Sequence, residues 1–197
     1  MLKAVVFDFD GVIHDTFRIT YNIVKKIYPD LSTKEYKDFF NGNVRKNKKA
    51  NKSFLEKYFK CQNEEFKNLV MCRETREMLT SLSKKYSLFI ISSNMELAMN
   101  DYLKNNHAKG LFTRVLGVET HTLKTKKFKI LMKEYGLEKN EIIFVTDTLG
   151  DILEANEVGI HSLAVDFGFH DVSRLKKGKP VKIVSDYQEM IKVINSI

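Results

Sequence analysis

The chain has 197 residues, 43% of them hydrophobic, so it can bury the core of one ordinary domain with a modest insertion, and disorder is not the expected state. Its formal net charge of +8 favours anionic partners, from small phosphates to nucleic acid or anionic lipid, without choosing among them. No stretch approaches the roughly 18 uninterrupted apolar residues of a membrane-spanning helix, and no cleavage site follows the apolar start, so we expect a soluble, cytosolic protein. The two cysteines, Cys61 and Cys72, are expected to be free thiols.

The first predicted element is a buried β-strand over residues 3–8, which ends in an acidic pair. Further apolar runs, each short enough for a strand, occupy residues 87–91, 141–145, 162–165 and 181–184. Segments with helical periodicity lie between these runs, for example at 128–135 and 187–194. Strands that alternate with helices predict an α/β fold with a doubly wound parallel sheet, in which ligands bind beyond the carboxyl ends of the strands.

The stretch after the first strand interrupts this alternation with helical segments alone. One helix is expected around Phe17 to Ile27, and a second begins at a capping box of Ser32 and Glu35 and could end at Gly42. Two more are expected at about 49–60 and 63–71. We therefore predict an α/β core of residues 1–15 and 76–197, with residues 16–75 as a small helical insertion.

The densest basic run is Arg45-Lys46-Asn47-Lys48-Lys49, with Lys52 beyond it. It lacks interleaved aromatic residues, which favours a solvated face, and the alternative is electrostatic recruitment of a substrate.

Two pairs of aspartates carry the clearest chemical signal. Asp8 and Asp10 follow the first strand two residues apart, so both point to the same side, and Gly11 lets the chain turn away. Carboxylates this close can share a divalent cation. Asp147 and Asp151 follow another strand, with Asp151 about one turn into a helix. Each pair has an ordinary alternative explanation, as an acidic turn or as helix caps.

Together these motifs resemble the haloacid dehalogenase (HAD) superfamily, in its phosphatase branch with a helical cap inserted after the first strand. The segment Asp8-Phe9-Asp10-Gly11-Val12 resembles the first family motif, Ser92 the second, Lys124 the third, and Asp147 with Asp151 the fourth. The motifs occur in the family order and span essentially the whole chain. Ser93 is an alternative to Ser92, and Lys126 to Lys124, since the common Lys-Pro pair of the family is absent.

The resemblance implies a Mg²⁺-dependent phosphatase, similar to the phosphoglycolate phosphatase and β-phosphoglucomutase group, that acts on a small phosphorylated metabolite. Asp8 would be the nucleophile that forms an aspartyl phosphate, and Asp10 the general acid and base. Mg²⁺ would be held by a carboxylate oxygen of Asp8, the main-chain carbonyl of Asp10 and Asp147, with Asp151 binding directly or through a water. A serine and a lysine would bind the phosphate. The five histidines do not form a metal-ligand spacing; His14, His121 and His170 could touch substrate, although isolated histidines are more often surface residues, and we assign His170 no catalytic role.

Two other functions fit the same sequence. A phosphomutase of the same family needs the same aspartate pair, and the sequence does not separate it from a phosphatase. A catalytically weak HAD-like module could instead bind nucleic acid or protein through the basic insertion, although the intact aspartate set argues against it. A receiver domain explains neither the helical insertion nor the serine motif.

Overall fold

The strands form a six-stranded, fully parallel sheet in a computed structural model that describes residues 1–44, 47 and 49–197. Its strand order, β3-β2-β1-β4-β5-β6, is that of a doubly wound sheet, which confirms the predicted fold class. The strands are β1 (Ala4–Phe7), β2 (Ser87–Ile91), β3 (Arg114–Leu116), β4 (Ile142–Thr146), β5 (His161–Val165) and β6 (Lys182–Val184). The three-residue strand β3 is the one strand of the sheet that was not predicted, because its apolar run is too short to stand out.

Helices cover both faces of the sheet, because the alternate residues of each buried strand point to opposite sides. Val5 and Phe7 pack with α4, α5 and α9 in one apolar cluster, and Ala4 and Val6 pack with α6 and α7 in another. These helices, with the short α8, are α4 (Arg73–Ser83), α5 (Glu96–Asn105), α6 (Lys124–Tyr135), α7 (Leu149–Glu157), α8 (Val172–Leu175) and α9 (Tyr187–Ser196).

Between β1 and α4 the described chain contains three α-helices: α1 (Phe17–Ile27), α2 (Thr33–Asp38) and α3 (Lys52–Phe66). They share an apolar cluster of their own, into which Phe169 inserts from the loop after β5. The Phe169 ring meets those of Phe17 and Phe40 edge to face, with centroids 5.0 and 5.1 Å apart. This separate cluster supports our proposal that residues 16–75 form a cap on the core.

In the helical segment, the predicted capping box is confirmed and two predicted helix boundaries are corrected. Both hydrogen bonds of the Ser32–Glu35 capping box are present at the start of α2. That helix ends at Asp38 rather than Gly42, because the following residues leave the helix to pack against the core. The two helices expected at about 49–60 and 63–71 are one continuous helix, α3, which contains neither Gly nor Pro to break it.

Three residues of the basic run, Arg45, Lys46 and Lys48, lie outside the described residues, so the prediction of a solvated face there is not tested. Lys49 and Lys52, which are described, are both exposed. No helix among the described residues has the length and apolar character that a bilayer crossing requires.

Candidate active site

The candidate site lies between β1 and β4, where the strand order of the sheet reverses. Asp8 continues β1 and donates its backbone N–H to the carbonyl of Val145 on β4 at 2.9 Å. Asp147 follows β4 directly, and Ser92 follows β2 on the other side of β1. The sheet therefore brings the polar ends of three neighbouring strands to one edge, the usual ligand site of such folds.

Asp8 is held by a buried lysine from α6. The Lys124 Nζ lies 2.9 Å from Oδ1 of Asp8 and 2.6 Å from Oδ2 of Asp151, and the backbone N–H of Phe9 donates to the same Asp8 oxygen at 2.8 Å. Lys124 is 2% exposed, whereas Lys126 on the same helix is exposed. Of the two candidate lysines, the fold therefore brings only Lys124 into contact with Asp8.

Asp8 and Asp151, the two carboxylates beside Lys124, have pKa values shifted in opposite directions from the ordinary value of an aspartate. Burial raises the pKa of Asp8 well above its usual range, against the attraction of Lys124. Burial also works against ionisation of Asp151, but Lys124 and donors that include Thr146 hold the pKa of that carboxyl below its usual value. Asp151 therefore serves as the counter-ion of Lys124, while Asp8 needs additional positive charge to ionise fully.

Asp10 is fixed by two donors that the sequence analysis did not identify as part of the site. Thr16 donates its hydroxyl to Oδ1 at 2.5 Å, and Asn94 donates its amide to Oδ2 at 2.7 Å. Asn94 in turn accepts a hydrogen bond from Gln62 of α3 at 2.9 Å. Burial raises the pKa of Asp10, although these two hydrogen bonds lower it. The carboxyl is thus preset in one orientation beside Asp8.

Asp147 is fully buried in a slot between two glycines. A Cβ atom on Gly11 would lie 2.0 Å from its Oδ2, and one on Gly168 would lie 2.3 Å from its Cβ. Oδ2 accepts the N–H of Phe169 at 2.7 Å, whereas Oδ1 has no hydrogen-bond partner among the described residues. Burial raises the pKa of Asp147 to about 8. A buried carboxylate oxygen without a partner is costly unless a ligand completes it.

These features fit a divalent cation bound by oxygen ligands. Two buried carboxylates with raised pKa values, Asp8 and Asp147, need a positive charge to ionise, and Oδ1 of Asp147 has no hydrogen-bond partner among the described residues. Side chains of the described residues do not by themselves form a ready cluster of three metal ligands. Mg²⁺ suits such a site, since it takes one or two carboxylates and completes its shell with water and phosphate oxygens.

Ser92 and Ser93 both line the polar cavity above Asp8. Ser92 is fully buried, its hydroxyl accepts the backbone N–H of Asn94 at 3.2 Å, and its carbonyl accepts a hydrogen bond from the buried Lys127. Burial lowers the pKa of Lys127 to about 7, with a further contribution from Lys124. The basic residues of α6 therefore approach both Asp8 and the strand end that carries the serines.

The helical segment closes directly over this cavity. The backbone N–H of Gly150 donates to the carbonyl of Phe40 at 2.8 Å, and Asn43 donates to Glu154 at 2.9 Å. Glu154 also accepts the backbone N–H of Lys124, so the same carboxylate touches the segment and the start of α6. His170 links the core to the helical segment. Its Nδ1 accepts the N–H of Leu149 at the start of α7, and its Nε2 lies 2.8 Å from the carbonyl of Lys37 in α2.

Several of these residues carry no recognisable pattern in the sequence. Thr16, Gln62, Glu154 and Phe169 reach the site only through the packing of distant segments. Asn94 offers a signal in the sequence, since it follows Ser92 and Ser93 at a strand end. Both ring nitrogens of His170, to which the sequence analysis assigns no catalytic role, lie at hydrogen-bonding distance from backbone groups.

A parallel doubly wound sheet with a strand-end carboxylate cluster, a buried lysine and a closing helical segment defines a hydrolase-type active site. The sequence profile described as "Haloacid dehalogenase-like hydrolase" matches residues 5–165. The chain belongs to this family, and the resemblance drawn from the motifs is confirmed.

Individual relatives are distant but match over nearly their full length. A phosphoglycolate phosphatase of Synechococcus elongatus is 21% identical and is aligned over 100% of this chain and 99% of its own. A protein of Caldanaerobacter subterraneus subsp. tengcongensis, provisionally named pyrophosphatase PpaX, is 24% identical over 98% of this chain and 94% of its own. Among solved structures, the HAD-like family protein SP0104 of Streptococcus pneumoniae superposes with a TM-score of 0.83 at 20% identity, covering 98% of both chains.

Proposed function

We propose that this protein is a Mg²⁺-dependent phosphatase that hydrolyses a small phosphate monoester through an aspartyl-phosphate intermediate. The observation that carries the proposal is the contact of Lys124 with both Asp8 and Asp151, beside a buried Asp147 with a free carboxylate oxygen. The membership of the chain in the HAD-like hydrolases and the phosphatase names of its relatives support the same reaction class.

In this proposal Asp8 is the nucleophile. One oxygen of its carboxylate attacks phosphorus while the bond from phosphorus to the leaving oxygen breaks, so the phosphoryl group moves to Asp8. Asp10 gives its proton to the leaving oxygen, a role suited to a carboxyl whose pKa burial raises. In the second half, Asp10 takes a proton from the water that attacks phosphorus and releases Asp8.

The remaining residues stabilise and place these groups. Lys124 neutralises charge on Asp8 and on the phosphoryl oxygens, and Asp151 holds Lys124 in position. Ser92 or Ser93 donates to the phosphate at the end of β2. The carboxylates of Asp8 and Asp147 and the main-chain carbonyl of Asp10 would hold the metal, with Asp151 at its margin, so that the Asp10 carboxyl stays available for proton transfer. Bound there, Mg²⁺ would supply the positive charge that ionises Asp8 and Asp147 and reduces their repulsion of the phosphate.

The test is phosphate release from a panel of sugar phosphates, nucleotides, phosphoglycolate and an aryl phosphate, with Mg²⁺ or with EDTA. Asp8→Asn removes the attacking oxyanion but keeps the shape of the side chain, so we expect turnover to be lost while the circular dichroism spectrum is unchanged. Mg²⁺-dependent release in the wild type that survives in Asp8→Asn would contradict the mechanism. No release by the wild type from any compound would favour the phosphomutase or the binding module.

A further inference from the structure

A second cavity adjoins the polar one over Asp8, and it has a different character. Both cavities are lined by Asp10 and Phe169, so they meet at the proposed acid. A phosphoryl group on the Asp8 side would place its leaving group past Asp10 and into the second cavity. This space therefore lies where the non-phosphate part of a substrate would be held.

Six aromatic side chains from the helical segment, together with Phe169, line this second cavity. Tyr36, Phe39 and Phe54 are buried, at 2%, 7% and 7% exposure, and belong to one apolar cluster with Phe169. The rings pack against one another; for example, the centroids of Tyr36 and Phe40 lie 5.3 Å apart, edge to face. Such a wall offers apolar contact and ring stacking to a ligand.

The charged residues that line the second cavity indicate which leaving groups it would bind poorly. Among the described residues that line this cavity, Asp10 is the only charged one, and none is a lysine, arginine or histidine. Beside Asp10 and the negative faces of the rings, a leaving group with a carboxylate or a second phosphate would find no cation among the described residues of this wall. Burying an unpaired charge in such surroundings is costly.

We infer that the substrate is a phosphate monoester whose leaving group is uncharged and carries an aromatic ring or a comparable apolar group. This inference rests on the proposed function and narrows it. It separates this chain from the phosphoglycolate and pyrophosphate named for its relatives, since both of those have anionic leaving groups.

The first test compares substrates that differ only in the group attached to the CH₂ of the leaving group. Benzyl phosphate and phosphoglycolate both place one CH₂ group on the leaving oxygen, followed by a ring in one and a carboxylate in the other, and ethyl phosphate provides the reference. With Mg²⁺ present, we expect kcat/KM for benzyl phosphate to exceed both others by at least about tenfold, the effect of a well-filled apolar pocket. Equal values, or a preference for phosphoglycolate, would overturn the inference while leaving a Mg²⁺-dependent phosphatase in place.

A binding measurement separates the cavity from the chemistry. 2-Phenylethylphosphonate and 3-phosphonopropionate are non-hydrolysable counterparts of the same pair, and their affinities can be measured by calorimetry with Mg²⁺. We expect the phenyl compound to bind at least about tenfold more tightly. Tighter binding without turnover of any ester would contradict the proposed phosphatase but support the inferred ligand class. Tighter binding of the carboxylate compound would overturn the inferred class.

A charge placed in the wall should reverse the preference. Leu55 on α3 lines the cavity and is only half-buried, so Leu55→Lys brings in a cation with little loss of packing. We expect the ratio of kcat/KM for benzyl phosphate to that for phosphoglycolate to fall at least about tenfold. The control is Glu56→Gln, which makes the same change in net charge at an exposed position and should leave the ratio as in the wild type. An unchanged ratio in Leu55→Lys would argue against leaving-group binding in this cavity.

Discussion

Lys124 is the residue on which the electrostatics of the site depend, because it compensates two buried carboxylates at once. Replacing it with methionine keeps much of its length but leaves Asp8 and Asp151 without a cation. We expect Lys124→Met to lose activity and to destabilise the protein by about 3–5 kcal/mol, the usual result of breaking a buried ion pair from one side. Urea unfolding and phosphate release measure the two effects.

Two further variants make this prediction specific. Lys126→Met, on the exposed side of the same helix, should match the wild type in both measurements. The double variant Lys124→Met with Asp151→Asn should recover part of the lost stability, since it removes one of the unpaired charges, yet remain inactive. An active Lys124→Met protein would rule out the role proposed for this lysine.

In the proposed mechanism Asn94 orients Asp10 through its hydrogen bond, so its removal should matter most where the leaving group needs a proton. We expect Asn94→Ala to slow hydrolysis of benzyl phosphate by roughly 10- to 100-fold, which is a part of the roughly 100- to 10,000-fold that a positioned general acid contributes. Hydrolysis of 4-nitrophenyl phosphate should slow far less, because its leaving group is a weak base. Asn105→Ala, at an exposed position, is the control, and an equal loss with both esters would indicate a merely structural role for Asn94.

At the scale of the elements, the start of α7 and the chain after α2 touch through their backbones, and Gly150 permits this contact. A Cβ atom there would lie 2.4 Å from the carbonyl oxygen of Gly42 and 2.8 Å from that of Phe40. We expect Gly150→Ala to push the helical segment off the core, lower kcat/KM by about tenfold or more, and increase protease cleavage between α2 and α3.

The control for this prediction is another glycine with no such constraint. A Cβ on Gly110 would meet no atom within 4 Å, so Gly110→Ala should change neither the kinetics nor the cleavage pattern. If Gly150→Ala were as active and as resistant to protease as Gly110→Ala, the closed contact between the segment and α7 would have no part in turnover.

At the scale of the whole molecule, the buried carboxylates should make stability depend jointly on pH and Mg²⁺. The pKa of Asp147 is about 8 in the folded protein, against 3.8 as its ordinary value, so the folded state binds the extra proton. In EDTA, the contribution of this group to stability is complete below about pH 4 and is lost as pH rises towards 8. Mg²⁺ should offset that loss by binding the folded state.

The measurement is the melting temperature between pH 5 and 8, with Mg²⁺ or with EDTA. We expect the stabilisation by Mg²⁺ to grow with pH in the wild type and to be much smaller in Asp147→Asn, which has no carboxylate to ionise. If Mg²⁺ raised the melting temperature equally in both proteins, or raised it less as the pH increased, the metal would not bind at Asp147.

The sequence by itself determined the class of fold and the family, because both rest on local patterns. The buried strands that end in aspartates, the helical periodicity between them and the order of the motifs depend on neighbouring residues alone. The capping box of Ser32 and Glu35 is equally local and was located correctly. The very short β3 and the ends of the helices in the insertion were missed or misplaced, since tertiary packing decides where such elements stop.

Only the tertiary structure decided which polar residues meet. Lys124 and Lys126 are nearly equivalent in the sequence, and the burial of one face of α6 distinguishes them. The contacts of Asp10 with Thr16 and Asn94, and the aromatic wall that Tyr36, Phe54 and Phe169 build, join segments far apart in the chain. Their contacts depend on how the helical segment packs over the sheet, and no local pattern in the sequence encodes that packing.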